Sequence, residues 1–407
     1  MGSNNVNLLV PSGQFGTRLT GGKDAASPRY IFTLLSPIAR HIFPEEDDIL
    51  IKQLEDDGQK IEPEFYCPIL PLLLINGSQG IGTGWSTLIP PFDPEDILDY
   101  IRAKLDGKNE LLEIRPFAKG FTGIIEPQQD GSGYITYGRA KQATAKSIII
   151  DELPLKCWTD QYKQRLLRMR DKGEISGFVE NHTTSKVSFE VSLKSVKLRR
   201  MMKQTGGLEA AFKLKGSLPT TNMNAFDADG TIRKFDSAED IIDAYFGVRM
   251  ELYRDRKSVL ESEMKYATAL MRNKANFIQS VVAGDIDLVS GRQTKDNILK
   301  RMKEMGFACA SDLSKIKDDN SVLKRRQLEN GPKATKELEE NGHSSAHQFD
   351  YLLNMPLSSL TAEKIKQLQD DAGKKEQELE ALKHKSPADL WKADLDKLAP
   401  HLRQLKS

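Results

Sequence analysis

The sequence has few cysteines, no long apolar run and almost no net charge. Its three cysteines, Cys67, Cys157 and Cys309, lie far apart without zinc-ligand spacing, which favours structural roles in a reducing compartment. Pro68 and Pro71 interrupt the most apolar stretch, so no run reaches the roughly 18 residues of a membrane span, and we expect a soluble protein. The formal net charge is +1, because 59 basic residues face 58 acidic ones. Any nucleic-acid surface must therefore come from local clustering of cations.

The stretch 13–30 reads GQFGTRLTGGKDAASPRY and combines glycines with cations. Its glycines favour a loop whose backbone lies close to a ligand. Arg18, Lys23 and Arg29 bring three fixed positive charges toward a single phenol. Cations near Tyr30 would stabilise its phenolate and the charge that grows on an attacked phosphodiester, as a tyrosine nucleophile requires. The alternative is an ordinary packing tyrosine with one end in water, which composition alone favours.

Four segments, in the same order along the chain, resemble parts of eukaryotic-type DNA topoisomerase II, a type IIA enzyme. They are GQFGTRLTGGKDAASPRYIFT at 13–33, LINGSQGIGTGWS at 74–86, FDYLLNMPL at 349–357 and KSPADLW at 385–391. One glycine motif would be weak evidence, but four ordered segments that cover the chain are strong. The resemblance implies that Tyr30 attacks DNA and becomes joined to a 5′ phosphate, with Arg29 stabilising the transition state. Two such tyrosines in a dimer would open a transient double-strand break for strand passage, which changes DNA topology.

The resemblance implies an α+β multidomain fold that corresponds to the DNA-gate, tower and coiled-coil portion of the enzyme, and 407 residues suffice for it. We expect a partial winged-helix DNA gate with the catalytic tyrosine at 1–115 and an α/β tower lobe at 116–236. A long antiparallel coiled coil would begin with a first helix at 237–283 and end with a return helix and a terminal helix at 359–407. Between these helices, 284–358 would form a helical C-gate dimer tip with a polar linker.

In this family the magnesium ligands lie in a toprim domain and ATP binds an N-terminal domain, and the sequence shows no counterpart of either. Mg²⁺ and ATP are therefore implied for the full-length enzyme, and we expect no residue of this chain to bind them. The acidic run Glu45 to Asp48 is an alternative metal site, although such runs are usually solvated. The implied partners are double-stranded DNA and a second copy of the chain, met through the DNA gate and the C-gate. We expect a nuclear protein that alone dimerises and binds DNA but cleaves it poorly.

The glycine-rich run INGSQGIGTGW at 75–85 is predicted to expose Ile81. Its glycines lack the spacing of a dinucleotide site, and Pro90 and Pro91 follow where such a site needs a helix. Glycines around a lone isoleucine favour an apolar wedge, which architectural proteins insert between base steps to bend DNA. The resemblance assigns this role to Ile81. The alternative is a buried loop isoleucine.

Local patterns predict the first elements after the tyrosine. The apolar run IFTLL at 31–35 is expected to form a short buried strand that supports the nucleophile rigidly. Ser36 would then cap a helix. Asp93 and Pro94 are predicted to begin another helix, which ends at Leu105.

Between about 117 and 222 the pattern changes to short β-like runs with a helical piece near 158–170, which predicts a separate α+β lobe. The basic run KSVKLRRMMK at 194–203 fits a solvated helix face and a phosphate-contacting surface equally well. The stretch KLKGSLPTTN at 213–222 resembles a family segment that touches DNA. The residues predicted to bind DNA are Arg18, Lys23, Ile81, Lys213, Lys215, Ser217, Thr220, Thr221 and Asn222. These contacts would go mainly to the DNA backbone, without sequence-specific readout.

Apolar spacings of three and four predict two helices that pair as an antiparallel coiled coil. The first runs from 238 to about 283, and the seam of the second consists of Ile365, Leu368, Ala372, Lys375, Leu379 and Leu382. The polar stretch 311–345 is expected to be partly a mobile linker. The C-gate interface residues predicted beyond it are Leu352, Leu353, Met355 and Leu357, with a small core as the alternative. Residues 386–389 form a capping box for a last helix.

Two other classes of function remain open. A noncatalytic DNA-binding or DNA-bending scaffold would use the same basic loop and Ile81, but it would not need Tyr30. A purely structural coiled-coil protein would show no salt-sensitive DNA binding, whereas contacts to phosphates weaken steeply as salt is added.

Overall fold

The computed structural model describes residues 4–108, 112–288, 294–329, 348–356 and 360–406. Contacts group the chain into two compact units. The first comprises residues 1–42, 68–248 and 394–407, and the second comprises residues 43–67 and 249–393. Within the described ranges, no helix is long and apolar enough to cross a membrane. The proposed boundaries between DNA gate, tower and coiled coil stay predictions.

Strands lie mainly in the first unit, and the longest helices lie toward the end of the chain. In chain order the α-helices are α1 Ala39–Ile42, α2 Leu72–Asn76, α3 Pro94–Leu105, α4 Thr159–Asp171, α5 Ser195–Lys203, α6 Gly207–Ala211, α7 Ala238–Val282, α8 Lys295–Glu304, α9 Ala310–Asp318, α10 Ser321–Glu329, α11 Asp350–Leu353, α12 Ala362–His384 and α13 Pro387–Lys406. Two 3₁₀ segments, Pro28–Tyr30 and Glu45–Leu50, complete the helical elements described here.

All strand pairs are antiparallel. In chain order the strands are β1 Gln53–Asp56, β2 Gln59–Pro63, β3 Ser78–Ile81, β4 Ser86–Ile89, β5 Ile124–Pro127, β6 Gly133–Tyr137, β7 Arg139–Gln142, β8 Ser147–Glu152, β9 Gly177–Glu180, β10 Phe189–Ser192, β11 Lys215–Pro219, β12 Met223–Phe226 and β13 Ile232–Phe235. They form a four-stranded sheet in the order β7-β8-β10-β9, a three-stranded sheet in the order β11-β6-β5, and the hairpins β1-β2, β3-β4 and β12-β13.

A hydrophobic core of the first unit joins the four-stranded sheet to α4. Ile148 and Ile150 alternate along β8, so both side chains point to the same buried face. Tyr162 and Leu166 lie four residues apart on α4 and reach the same core. The buried Tyr162 hydroxyl donates to the Phe212 carbonyl at 2.9 Å, as a buried polar group requires. This packing fixes α4 and turns its charged residues to the surface.

The helix starts predicted from capping residues are confirmed. Helix α3 begins at Pro94, and the Asp93 carboxylate accepts from the Glu95 amide at 2.9 Å. Before α13, the Ser386 hydroxyl donates to the Asp389 carboxylate at 2.7 Å, and the Asp389 amide donates back to that hydroxyl at 3.1 Å. The long helix predicted from 238 to about 283 is present as α7.

The buried strand predicted at 31–35 is wrong. This segment is extended, but its bridge joins only Leu9 to Leu35, and Phe32 is 90% exposed. An apolar run forms a buried strand only where a second layer covers it, and the sequence pattern does not show that layer. The tyrosine before the run is therefore supported by its own turn and loop. The helix predicted after Ser36 is confirmed as the short α1.

The second unit contains a small hydrophobic core. Its buried residues are Phe277, Ile286, Leu299, Met302, Phe307, Phe349 and Leu352. The prediction that Leu352 lies in a dimer interface is therefore wrong, because the core encloses its side chain completely. Leu353 and Met355 pack half-buried against this core, and their interface role stays a prediction. Leu357 lies outside the described residues.

Two helices of the second unit, α7 and α12, are joined by polar contacts. Lys257 on α7 donates to the Lys383 carbonyl on α12 at 3.0 Å, and Arg272 on α7 pairs with Glu376 on α12. These contacts run in opposite chain directions along the two helices. The start of the polar stretch predicted to be a linker is helical, as α9 and α10, and residues 330–347 lie outside the described part.

Candidate active site

Tyr30 stands on the surface at the end of a single 3₁₀ turn. The turn is closed by the Tyr30 amide, which donates to the Ser27 carbonyl at 2.9 Å, and the Ile31 amide donates to the Pro28 carbonyl at 3.1 Å. The side chain of Tyr30 is 72% exposed, so the packing alternative is wrong. The guanidinium carbon of Arg29 lies 5.9 Å from the centre of the Tyr30 ring. The arrangement leaves the phenol open to solvent with a cation beside it.

The loop before Tyr30 closes on the carboxylate of Asp24. The hydroxyls of Thr17 and Thr20 each donate to this carboxylate at 2.6 Å, and the Thr17 amide donates to it at 2.8 Å. The hydrogen bond from the Thr17 hydroxyl, followed by that from Thr20, holds the pKa of Asp24 well below its ordinary value. Hydrogen bonds to the charged form favour it. The charged carboxylate therefore holds Thr17 and Thr20 together in this loop at neutral pH.

At Gly21 the backbone of this loop lies close to Trp158. Gly21 has a φ of +69°, and a Cβ added there would lie 2.2 Å from Cε2 of Trp158. The Asp160 amide, at the start of α4, donates to the Leu19 carbonyl at 3.0 Å. Only glycine combines this left-handed backbone with this approach. The loop is docked on the segment that leads into α4, which holds the base of the tyrosine turn.

Arg18 was predicted to lie beside the phenol, but its side chain is engaged in an ion pair elsewhere. Its guanidinium pairs with Glu152, whose side chain is almost completely buried. Glu152 also accepts from the amide and the hydroxyl of Thr122, each at 2.9 Å. A buried carboxylate is costly unless it is paired, so this ion pair fixes Arg18 in the fold. Lys23 is exposed on the loop, and a DNA contact of Lys23 or Arg18 stays a prediction.

Ile81 lies at the turn of the β3-β4 hairpin and is 90% exposed. It pairs with Ser86, and the Gly82 amide donates to the Trp85 carbonyl at 2.8 Å to close the turn. The buried-loop alternative for Ile81 is therefore wrong. The exposed Trp85 lies in the same turn, so the hairpin carries an apolar tip.

Three amide and amine groups brace this hairpin from neighbouring segments. The Asn222 side chain donates to the Ser86 hydroxyl at 2.9 Å, and the Asn224 side chain donates to the Ser86 carbonyl at 2.8 Å. On the other strand, Lys156 donates to the Gln79 side chain at 3.2 Å. Burial lowers the pKa of Lys156. The structure thus brings Asn222 next to the partner of Ile81, where its side chain supports the hairpin.

The predicted DNA-contacting stretch 213–222 forms a surface beside the hairpin. Lys215 and Ser217 alternate with the buried Leu218 along β11, so both are exposed. Lys213 and Thr221 are also exposed, and Thr220 is half-buried. The DNA contacts of these side chains stay predictions.

Comparison with known proteins identifies the family. The family model that describes the A-type subunit of DNA gyrase and topoisomerase IV matches residues 1–396. The chain belongs to this family.

Curated relatives of this topoisomerase family extend the comparison. DNA topoisomerase 2-alpha of Gallus gallus is 41% identical over 405 residues, which cover 97% of this chain and 25% of the relative. DNA topoisomerase 2 of Pisum sativum is 38% identical over 410 residues, which cover 97% of this chain and 27% of the relative. The crystal structure of the Plasmodium falciparum topoisomerase II DNA-binding, cleavage and re-ligation domain matches with a TM-score of 0.82 at 33% identity, over 100% of this chain and 54% of that chain.

These matches confirm the resemblance to eukaryotic-type topoisomerase II and the mixed α and β fold. The chain spans about a quarter of the length of the curated relatives. The match extends over nearly the whole chain, so it includes the tyrosine loop, the hairpin and the second unit alike.

The acidic run of this topoisomerase-family chain does not fit a magnesium ion. Asp47 accepts from a guanidinium nitrogen of Arg249 at 2.6 Å, and Glu46 lies 3.2 Å from a guanidinium nitrogen of Arg256. Mg²⁺ needs carboxylate oxygens that are free to coordinate it, and the guanidinium groups already engage Asp47 and Glu46. In the part of the chain that the structure describes, no group of three or more His, Cys, Asp or Glu side chains is placed to hold a metal ion.

Two residues that hold the tyrosine loop of this topoisomerase-family chain in place, Asp24 and Trp158, were not predicted from the sequence. Asp24 is the acceptor that closes the loop, and the hydroxyls that donate to it come from Thr17 and Thr20, seven and four residues earlier. Trp158 has no local signal, since its partner Gly21 is far away in sequence.

Proposed function

We propose that this chain is the DNA cleavage and religation core of an ATP-dependent type IIA topoisomerase. The observation that carries the proposal is the exposed Tyr30, set beside Arg29 on a loop that hydrogen bonds and Trp158 hold in place. A packing tyrosine would be covered, and a flexible surface tyrosine would lack the fixed loop. Membership of the gyrase and topoisomerase IV family supports the same function.

The proposed reaction is a transesterification at a backbone phosphate. The Tyr30 oxygen forms a bond to phosphorus as the bond to the 3′ oxygen breaks. The phenol gives up its proton on attack, and the departing 3′ oxygen takes one up. Arg29 stabilises the additional negative charge on the phosphate oxygens. Because a phosphotyrosine ester replaces a phosphodiester, little bond energy is lost, and religation is the reverse reaction.

The apolar hairpin tip and the strand β11 would position the duplex for this reaction. Ile81 would enter between two base steps and bend the DNA, at a cost of about a few kcal/mol per unstacked step. Lys213, Lys215 and Ser217 would contact the DNA backbone without reading the sequence. Asn222, assigned to DNA by the sequence, would act mainly by holding Ser86 and the hairpin.

The proposed assembly is a homodimer that works in the nucleus. Residues 1–115 would belong to a partial winged-helix DNA gate, 116–236 to the tower, and α7 with α12 to an antiparallel coiled coil that leads to a C-gate. Two tyrosines, one from each copy, would cut both strands of one duplex so that another can pass. In the full-length protein, Mg²⁺ would support cleavage and ATP would drive strand passage.

The test uses a chimera in which this chain replaces the matching quarter of Gallus gallus DNA topoisomerase 2-alpha. The chimera receives magnesium, ATP and supercoiled plasmid, and we expect it to relax the plasmid. The variant Tyr30→Phe should bind DNA but lose relaxation, because only the nucleophilic oxygen is removed. The matched control is Tyr66→Phe, which alters another exposed tyrosine and should keep relaxation.

Three outcomes would contradict the proposal. Full relaxation by the Tyr30→Phe variant would show that Tyr30 is not the nucleophile. A folded, dimeric chimera that binds DNA but relaxes none of it would favour a noncatalytic DNA-binding scaffold. Loss of DNA binding in the parent chimera would refute both interpretations.

A further inference from the structure

A basic cavity of about 270 Å³ lies between α4 and the segment that follows α6. Four cationic side chains line it, those of Arg165, Arg168, Lys172 and Lys213. Among the described residues of the lining, Glu174 supplies the single negative charge, so the lining carries a net charge of +3. The cavity is separate from the tyrosine loop and from the Ile81 hairpin, since it shares no lining residue with either.

The helical repeat explains why three of the cations meet. Arg165, Arg168 and Lys172 lie three and four residues apart, so they project from one face of α4. Tyr162 and Leu166 bury the adjacent side of α4 in the core, which prevents the helix from rotating, and the guanidinium carbon of Arg165 lies 5.8 Å from the centre of the Tyr162 ring. The cationic face therefore stays directed at the cavity.

The fourth cation comes from a separate segment that is tied to the helix. Lys213 follows α6 with a left-handed φ of +51°. Its carbonyl accepts from a guanidinium nitrogen of Arg165 at 3.3 Å. This bond fixes the Arg165 guanidinium at the cavity and leaves its other N–H groups available.

The cations of the cavity differ from the other cations of α4 in their ion pairing. None of the four cations is ion-paired with a carboxylate in the described ranges, and three of them, Arg168, Lys172 and Lys213, are exposed. Elsewhere on the same helix, Lys163 pairs with Glu180 at 2.9 Å and Arg170 pairs with Asp171 at 3.3 Å. Four cations that share a single carboxylate repel each other, and an anion in the cavity would relieve that repulsion.

We propose that this cavity binds a phosphate group of the DNA backbone. The proposal rests on the proposed function, because it extends the DNA surface from Lys213 to the cationic face of α4. Arg165 and Arg168 would donate paired N–H groups to the non-bridging oxygens, and Lys172 and Lys213 would add charge. The contact would anchor the flank of the duplex in any sequence.

The experiment measures binding of a fluorescent duplex to the 407-residue chain as salt is raised. The double variant Arg165→Gln/Arg168→Gln keeps the side-chain length and removes both guanidinium groups. One lost phosphate contact should reduce the slope of log affinity against log salt by about 0.9, with a several-fold loss of affinity at low salt. The matched control, Lys163→Gln/Arg170→Gln, removes two paired cations from the same helix and should keep the parent slope.

The other possible results of these measurements also support or overturn the proposal. Equal losses of slope in the two double variants would overturn it, because net charge alone would explain binding. If inorganic phosphate raises the melting temperature of the parent but not of the cavity variant, while the DNA slopes agree, the cavity holds a free phosphate and the DNA proposal is overturned. If the double variant melts early, the exposed Lys172→Gln replaces it and should still lower the slope; an unchanged slope overturns the proposal. Absence of DNA binding by the parent would instead refute the proposed function itself.

Discussion

Replacing Gly21 by alanine should dislodge the loop that supports Tyr30. Gly21 has a φ of +69°, and an added Cβ would lie 2.2 Å from Cε2 and 2.4 Å from Nε1 of Trp158. A left-handed backbone costs an L residue about 1–2 kcal/mol. Overpacking against a fixed neighbour adds about 1–3 kcal/mol. The free energy of unfolding of Gly21→Ala should therefore fall by about 2–5 kcal/mol.

Gly173 supplies a matched control for the backbone contribution. Its φ is +67°, and an added Cβ would meet no atom within 4 Å. Gly173→Ala should therefore lose only about 1–2 kcal/mol from its free energy of unfolding. Urea unfolding of both variants gives the two values. Their difference measures the close approach of Gly21 to Trp158.

A double-mutant cycle tests whether Trp158 is the cause. Trp158→Ala opens space for the added methyl, so Gly21→Ala should cost less in that background than in the parent chain. Equal costs in both backgrounds, or equal destabilisation by Gly21→Ala and Gly173→Ala, would refute the docking of the loop on Trp158. The explanation of how Tyr30 is held would then fail.

Three further perturbations test other parts of the structure. Ile81→Ala should change stability by less than about 0.5 kcal/mol, because the side chain is exposed, but reduce the DNA bend measured by energy transfer between end labels; an unchanged bend contradicts the wedge. The lowered pKa of Asp24 means that its stabilising contribution is present above the ordinary value of about 3.9 and is lost as pH falls below it. The stability difference between the parent and Asp24→Asn in urea should therefore shrink from pH 7 to pH 3, and a constant difference would show that the carboxylate does not close the loop. Leu352→Ala should lower the free energy of unfolding by about 2–5 kcal/mol at any protein concentration, whereas an interface residue would change only the dimer affinity.

Features set by neighbouring residues could be predicted from the sequence. The cap at Asp93 and the box at 386–389 depend on residues two or three positions apart, so their signal is complete within the sequence. The α7 helix follows from an apolar period that extends over its length. The glycines around Ile81 likewise indicate an exposed turn before any partner is known.

Features set by distant residues could not be predicted from it. The Arg18 ion pair joins residues 134 positions apart, and the Asn222 bond to Ser86 joins residues 136 apart. The prediction that Arg18 lies beside the phenol used its charge alone. The sequence does not show that the buried carboxylate of Glu152 binds Arg18 instead. The predictions that 31–35 is buried and that Leu352 lies at an interface were wrong for the same reason. Burial depends on which layer covers each apolar run, and the sequence does not show that layer.

The most direct test of the central claim is to find the atom that becomes joined to DNA. The chimera is incubated with magnesium and a labelled duplex, denatured and digested, and the DNA-linked peptide is identified by mass spectrometry. We expect a nucleotide attached through its 5′ phosphate to Tyr30, and no adduct in a Tyr30→Phe variant that still binds DNA. An adduct on another residue, or none from a folded dimer that binds DNA, would contradict the claim that Tyr30 cleaves DNA.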